Sequence, residues 1–357
     1  MDARAILARS PSAAGRPDRR YASEVIRPSR VAAVAALTLL VVACSGGATP
    51  TTPPASGGPG ASGSADAPCE RTPDPTTLPD GWDAASQSPT VTPLIVTNRI
   101  VCGQARIVFL FLDDQQTVVS SPDRTASVAF YDLGRDAETP AVPAADAEFV
   151  WAIPDERGMY IVNADLPNAG IWGAEITTEA PQAETETIRL TFEVADSTPT
   201  VQVGDPAPPS DTPTAADVDG DLSRISTDEN PVPAFYETSV ADAIAAHKPF
   251  VLIFATPKFC TSQQCGPTLD SIKPIAEAHP DVTFINVEPY ILDYTDGQLE
   301  PVLDADEQLQ AAPTTDEWGL LSEPWIFVVD GDGIVRGSFE GVVGEAELER
   351  ALAEVEG

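Results

Sequence analysis

The stretch that most constrains the fold of this chain is residues 249–267, which read PFVLIFATPKFCTSQQCGP. The unbroken apolar run Phe250–Phe254 predicts a buried strand. Turn-forming residues follow it, then Cys260 and Cys265, and a helical pattern begins after Pro267. A thiol at a helix N-terminus is stabilised as a thiolate by the helix dipole and by free N–H groups. The stretch therefore indicates a redox-active cysteine pair.

The spacing of the two cysteines limits this interpretation. Four residues separate Cys260 from Cys265. Cα atoms five positions apart in a helix are roughly 8–9 Å apart, whereas a disulfide needs less than about 7 Å. The bridge can therefore close only if residues 261–264 form a turn. Thr261 and Ser262 favour such a turn because their hydroxyl groups bond to the local backbone.

The beginning of the chain predicts a secretion signal. Arg27 and Arg30 precede an apolar run at 31–43, which is shorter than the roughly 20 residues that span a bilayer. The run ends in Val-Val-Ala-Cys, which resembles the bacterial lipobox. The resemblance implies a lipoprotein signal peptide at 1–43, a lipid on Cys44, and anchoring to the extracytoplasmic face of the cell membrane. The alternative is an ordinary secretory signal with a chance cysteine.

The chain is strongly acidic, with 55 Asp and Glu against 20 Lys and Arg and a net charge of −35 at pH 7. Such a surface repels nucleic acid and anionic lipid head groups, so no nucleic-acid partner is expected. A solvated exterior that keeps the protein soluble explains the charge better than an acidic docking site does. We expect contact with the membrane through the lipid anchor.

Four cysteines remain once Cys44 is assigned to lipid, and the sequence alone does not choose among their three pairings. Short separation favours a bridge between Cys260 and Cys265. Cys69 and Cys102 are then expected to form a structural disulfide. That bridge would close a loop of about 32 residues and contribute about 3–4 kcal/mol in the chain-entropy model.

Composition divides residues 44–234 into three regions. Residues 44–90 are rich in Pro, Gly, Ser, Thr and Ala and predict a flexible tether, and the Pro-rich stretch 196–234 predicts a connector. Residues 91–195 predict an immunoglobulin-like sandwich, because short apolar runs alternate there with turn signals. The predicted strands are 94–96, 107–112, 126–131, 149–153, 159–164, 171–177 and 188–194.

One segment of this all-β region carries a family resemblance. Residues 158–176 read GMYIVNADLPNAGIWGAEI and resemble a hairpin of small extracytoplasmic sandwich domains of the FixH-like kind. Trp172 is expected to be a core residue rather than a platform for a ligand. The region contains no histidine and no catalytic constellation.

Residues 235–357 predict an α/β domain. A helix at 240–247 precedes the strand Phe250–Phe254, and a helix at 268–278 follows the cysteines. A βαβ order, then a β-hairpin, then a helix is the order of elements in thioredoxin. The remaining predicted elements are strands at 282–287, 325–329 and 334–339 and a helix at 344–356.

Three motifs in this region resemble thioredoxin-like domains of the extracytoplasmic disulfide-reductase type: FATPKFC, SEPWIFVVDGDGIV and GSFEG. The segment VGDPAP at 203–208 also resembles the entry segment of thioredoxin-like peroxidases and reductases. The resemblance implies that Cys260 attacks a disulfide and Cys265 resolves the mixed disulfide. It implies that Pro324 follows a cis peptide bond facing the cysteines. The backbone of Glu323 would pair with an extended substrate segment.

The sequence departs from that family in two ways. The family motif is Cys-x-x-Cys, whereas four residues separate the two cysteines here. In addition, no acid lies in the strand before the cysteines to accept the proton of the resolving thiol. Glu288 is a substitute candidate for that acid, and Lys258 is a candidate cation near the attacking thiol. No cofactor and no metal is expected. The expected partners are client proteins with thiols or disulfides and an electron-donor protein outside the cytoplasm.

Other functions compete with thiol–disulfide exchange. The pair could be a structural bridge in a redox-inactive binding module. It could bind Cu(I), as in Sco-type chaperones, although His247 and His279 both precede the loop that supplies the histidine ligand there. A peroxidase is the least supported function because no Arg follows near the cysteines. Both histidines are expected at helix C-terminal ends, where the dipole favours a cation.

Overall fold

The computed structural model describes residues 69–83 and 87–356. The predicted signal peptide at 1–43, the predicted lipid site Cys44 and the predicted tether up to residue 68 lie outside the described residues. Within the described part, no helix is long and apolar enough to cross a membrane.

Nine strands between residues 92 and 195 form a β-sandwich. They are β1 Thr92–Ile95, β2 Ile100–Val101, β3 Gly103–Leu112, β4 Thr125–Asp132, β5 Val142–Asp146, β6 Glu148–Ile153, β7 Arg157–Leu166, β8 Gly170–Glu179 and β9 Glu186–Ala195. One sheet has the order β1-β3-β7-β6 and the other the order β2-β9-β8-β4-β5. Every predicted apolar run falls largely within one of these strands. Strands β2 and β5 were not predicted, because β2 is only two residues long and β5 is mostly exposed.

The two sheets pack face to face over one apolar core. Phe109 and Tyr160 enter it from the first sheet, and Phe130 and Trp172 from the second. Trp172 is fully buried, and its indole N–H donates to the carbonyl of Asn168 at 3.0 Å. Trp172 is therefore a core residue, as expected, because burial leaves its ring no contact with solvent.

Residues 69–83 differ from the predicted flexible tether, because they make specific contacts with the sandwich. Trp82 is 1% exposed and packs edge-on against Tyr131, with the guanidinium of Arg189 over its ring. The disulfide Cys69–Cys102 fixes the start of the segment to the sandwich. One large buried side chain and one covalent link give this segment contacts that its composition does not reveal.

The second half of the structure contains a four-stranded mixed sheet flanked by helices. Its strands are β10 Phe250–Phe254, β11 Thr283–Val287, β14 Trp325–Val329 and β15 Val335–Glu340, and a separate hairpin pairs β12 Leu292–Thr295 with β13 Gln298–Pro301. The helices are α1 Val240–Ala245, α2 Cys265–Ala278, α3 Pro313–Glu317 and α4 Glu345–Val355. The strand order is β11-β10-β14-β15. Strand β10 pairs in parallel with β11 and antiparallel with β14.

Strand β10 lies in the middle of this sheet and is buried at every residue. Its side chains alternate between two cores. Val251 and Ile253 pack in the core that includes α2 and α4, whereas Phe250, Leu252 and Phe254 pack on the opposite face. Burial on both faces explains why this stretch has no polar residue.

The stretch 196–234, predicted to be a connector, packs along the second sheet. The N–H of Gly204 donates to the carbonyl of Val335 at 2.8 Å, and the N–H of Ala207 donates to that of Gly333 at 2.8 Å. Ser210 is buried, and its hydroxyl accepts from the indole N–H of Trp318 at 3.1 Å. These contacts order a Pro-rich segment because its remaining backbone N–H groups find partners on the sheet.

The sandwich contacts the second half through a largely buried ion pair. Arg106 on β3 donates to both carboxylate oxygens of Glu347 on α4, at 2.7 and 2.8 Å. The same guanidinium donates to the carbonyls of Glu340 and Val342 at 3.1 and 2.6 Å. Arg157, at the start of β7, donates to the carbonyl of Ser262 at 2.8 Å. The sandwich thus lies directly against the residues between the two cysteines.

Candidate thiol–disulfide site

Cys260 and Cys265 form a disulfide, with their Cα atoms 6.0 Å apart. Residues 261–264 form a turn, and Gln263 has a left-handed backbone with φ of 63°. The turn that the spacing requires is therefore present. Helix α2 begins at Cys265, a few residues earlier than the sequence predicts. The other expected disulfide, between the remaining cysteines Cys69 and Cys102, is also found.

The two sulfur atoms lie in different surroundings. Cys265 is fully buried, whereas Cys260 is partly exposed. The Sγ of Cys260 lies 3.2 Å from the backbone N–H of Cys265, which is the first residue of α2, and 3.3 Å from the hydroxyl of Ser262. If the bridge is reduced, the N–H of Cys265 can stabilise a thiolate on Cys260. The hydroxyl of Ser262 can do so when its single proton turns from the carbonyl of Glu323 to the sulfur. The arrangement suits an accessible attacking sulfur and a protected second sulfur.

Glu323 and Pro324 lie next to this loop, joined by a cis peptide bond. One carboxylate oxygen of Glu323 accepts from the N–H and the hydroxyl of Thr261, at 2.9 and 2.8 Å. The other accepts from the hydroxyl of Tyr290 at 2.5 Å. Burial, together with Glu323, raises the pKa of Tyr290 above its ordinary value. The backbone carbonyl of Glu323 accepts from Ser262 at 3.2 Å.

The side chain of Glu323 was missed by sequence reasoning, which assigned a role only to its backbone. A carboxylate oxygen of Glu323 and the sulfurs of Cys260 and Cys265 all lie within 4.8 Å of one another. Local sequence carries no signal for this contact, because Thr261 and Glu323 are 62 positions apart. The structure thus places the carboxylate of Glu323, which lies just before strand β14, beside the disulfide.

Glu288, the acid considered from the sequence, has other partners. Its carboxyl group accepts from the N–H of Thr227 at 2.6 Å and also bonds to Thr256. It is 9% exposed, and burial raises the pKa of Glu288 to about 7. None of its hydrogen bonds in the described part of the chain involves a cysteine. The carboxylate brought close to the sulfurs is therefore that of Glu323.

Three further residues that the sequence suggested as candidates form hydrogen bonds away from the disulfide. The ammonium of Lys258 donates to the carbonyl of Leu299 at 3.1 Å. His279 caps α2 and lies 2.7 Å from Glu356, and this hydrogen bond raises the pKa of His279. The Nδ1 of His247 lies 3.2 Å from the carbonyl of Gly331. In the group of sulfur and carboxylate atoms around the disulfide, no histidine takes part among the described residues.

Comparisons with known proteins add little to this picture. No family model matches the chain, and no curated protein matches it. Among solved structures, a DUF4426 family protein from Pseudomonas aeruginosa PAO1 shares 11% identity, with 30% of this chain and 90% of that chain covered and a TM-score of 0.21. The PmoD soluble domain from Methylocystis sp. ATCC 49242 (Rockwell) shares 16% identity, with coverages of 29% and 90% and a TM-score of 0.18. At these TM-scores neither likeness carries an inference.

Proposed function

We propose that residues 235–357 form a thioredoxin-like domain and that the protein is an extracytoplasmic thiol–disulfide oxidoreductase. The sheet order, with a parallel pair followed by an antiparallel hairpin and helices on the faces, supports the fold assignment. We further propose that the sandwich is immunoglobulin-like, which its nine strands in two packed sheets support. The lipobox resemblance at Cys44 supports a lipid anchor in the cell membrane.

One observation carries the proposed activity. The sulfur of Cys260, a partly exposed residue, faces the N–H of the first residue of α2 and lies near the hydroxyl of Ser262. A structural disulfide needs no donor aimed at one of its sulfurs, whereas an attacking thiolate is stabilised by such donors. The helix behind that N–H is 14 residues long, so its dipole adds to the effect.

The reaction follows from this difference between the two sulfurs. In the reduced protein, the Cys260 thiolate attacks a client disulfide, a mixed disulfide forms, and the other client sulfur leaves as a thiolate. The Cys265 thiol then loses its proton and attacks the Cys260 sulfur. The protein disulfide re-forms, and the second client sulfur leaves. Two electrons have passed to the client, and a dithiol donor protein outside the cytoplasm must return them.

A redox titration with thiol trapping tests the proposal. The full-length protein is equilibrated in glutathione or dithiothreitol buffers, and free thiols are then alkylated and assigned by mass spectrometry. A Cys260–Cys265 couple between about −120 and −270 mV supports exchange. A bridge that stays oxidised below about −300 mV supports a structural role in a redox-inactive binding module.

A second candidate is a Cu(I) chaperone of Sco type. The grouping of both sulfurs within 4.8 Å favours it, because two thiolates suit Cu(I) once the bridge is reduced. Glu323 is a harder donor and suits Cu(I) less well. Stoichiometric Cu(I) uptake that is lost in Cys260→Ser, with no exchange activity, would favour this candidate over the oxidoreductase.

A further inference from the structure

A pocket of about 200 Å³ lies beside the disulfide, between the second sheet and the sandwich. Its lining includes Ser262 and Gln264, which lie between the two cysteines. It also includes Glu323, which lies just before β14, and Glu340, which ends β15. The sandwich contributes the residues after β1 and part of β3 and β7. We call this space the acceptor pocket, for the oxygen atoms described next.

Two carboxylates belong to the lining of the acceptor pocket, whereas the guanidinium groups of Arg106 and Arg157 donate, among the lining residues, only to backbone carbonyls. Glu323 is 7% exposed and accepts hydrogen bonds from Thr261 and Tyr290, which are neutral donors. Glu340 is half-buried and accepts from Asn98 and from the hydroxyl of Ser322, which are also neutral. Neither acid forms an ion pair with any described residue. A buried carboxylate such as that of Glu323 is usually paired with a positive charge, so this site suits a cationic ligand.

A third residue of the lining, Gln264, carries a side-chain oxygen without a partner. The Oε1 atom of Gln264 is buried and makes no hydrogen bond within the described part of the chain. Gln264 lines the pocket and immediately precedes Cys265. Buried polar side-chain atoms nearly always have a partner, so this oxygen indicates a place for a donor that a bound group supplies.

Another part of the pocket lining is apolar. It consists of Val96, Val108, Met159 and Val342. A ligand that suits both kinds of lining needs an apolar stem and a head with several hydrogen-bond donors and a positive charge. Lysine and arginine side chains have this combination.

We propose that the acceptor pocket binds the side chain of a lysine or arginine close to the reactive cysteine of the client protein. This inference rests on the proposed function, because the pocket borders the disulfide through Glu323 and Gln264. It names the substrate class: clients with a basic residue beside the disulfide that is exchanged. The negative charge of the chain assists their approach.

Model peptides test the proposal on the reduced full-length protein. Three disulfide-linked peptides differ only in the residue beside the cysteine, which is Lys, Leu or Glu. We expect the Lys peptide to be reduced about tenfold faster than the Leu peptide at low salt, as one or two hydrogen bonds to charged groups would give. The Glu peptide should be the slowest. Equal rates for all three peptides would overturn the inference.

Two variants separate the pocket from the general acidity of the surface. Asn98 is exposed, so Asn98→Lys should fold and place the chain's own cation beside Glu340. We expect the preference for the Lys peptide to be lost. Gln264→Leu keeps the size of the side chain and removes the unpaired oxygen, and should reduce the preference. A preference unchanged in Asn98→Lys would overturn the assignment to this pocket.

Reduction of 2-hydroxyethyl disulfide provides the reference rate, since that compound has no side chain for the pocket. If wild type reduces it but shows no preference among the peptides, the inference fails and the proposed function stands. If wild type reduces neither, the proposed function fails and the inference falls with it. Each peptide rate is divided by the reference rate of the same protein, so that a general effect of a variant on exchange does not enter the measured preference.

Discussion

The disulfides Cys69–Cys102 and Cys260–Cys265 have nearly the same Cα separation, 6.3 and 6.0 Å, but different surroundings. The first joins residues 33 apart and ties the segment containing Trp82 to the sandwich. The second joins residues five apart, and the sulfur of its partly exposed residue, Cys260, faces the N-terminus of α2. The covalent bond is the same in both. Cys69 and Cys102 are partly exposed, as Cys260 is. The donors near one sulfur, rather than exposure or the bond itself, therefore distinguish a candidate for exchange from a structural link.

The largest expected difference between the two bridges is in exchange activity. Cys260→Ser should abolish measurable reduction of peptide disulfides, because it removes the attacking sulfur. The matched variant Cys102→Ser should retain the activity, measured under conditions where both proteins are folded by circular dichroism. Substantial activity in Cys260→Ser would remove the distinction between the two bridges.

A difference should also appear in trapped intermediates. Cys265→Ser cannot resolve a mixed disulfide, so covalent adducts between Cys260 and client proteins should accumulate. They would be detected by non-reducing electrophoresis and mass spectrometry. Cys69→Ser serves as the control for a free cysteine at the other bridge and should trap few adducts. Equal trapping by both variants would indicate unspecific thiol chemistry.

Stability should rank the bridges in the opposite order. Replacing both Cys69 and Cys102 by Ser should lower the free energy of unfolding by about 4 kcal/mol, and replacing Cys260 and Cys265 by about 2 kcal/mol, from the loop lengths in the chain-entropy model. Urea denaturation of the two double variants measures both values. A larger loss for the shorter loop would contradict the structural role given to Cys69–Cys102.

Glu288 provides a test of which acid serves the second bridge. Burial raises the pKa of Glu288 from 4.5 to about 7, so the folded protein keeps this proton while the unfolded chain releases it. Stability should therefore fall between about pH 4.5 and 7, by up to about 3 kcal/mol.

In Glu288→Gln this contribution to the pH dependence of unfolding should disappear. The pH profile of exchange should stay unchanged, because Glu288 bonds to Thr227 and Thr256 and not to a cysteine. A shift of the exchange profile in Glu288→Gln would instead connect this acid to the thiols.

The smallest effect is expected at Lys258. Its ammonium donates to the carbonyl of Leu299 and lies 3.7 Å from Glu300. Lys258→Ala should therefore change the exchange rate by less than about twofold, as for a half-exposed surface charge. A drop of tenfold or more in that rate would show that this cation acts on the nearby thiol of Cys260.

Local patterns in the sequence determined much of what surrounds the second bridge. The run Phe250–Phe254 is apolar at every residue because the strand is buried on both faces. The turn at 261–264 follows from the four-residue spacing once the bridge forms. Each of these features depends on neighbours within a few positions of the chain.

Other features were decided only by the tertiary structure. Glu323 meets Thr261 across 62 positions, and Arg106 meets Glu347 across 241. The order of the segment around Trp82 likewise depends on contacts with strands that come later in the chain. A local sequence pattern reflects interactions between residues that are close in the chain. It does not indicate which distant residues will come into contact in the folded protein. The cysteine pair could therefore be predicted from the sequence, whereas the positions of the Glu323 carboxylate and of the pocket beside it are defined only in the folded chain.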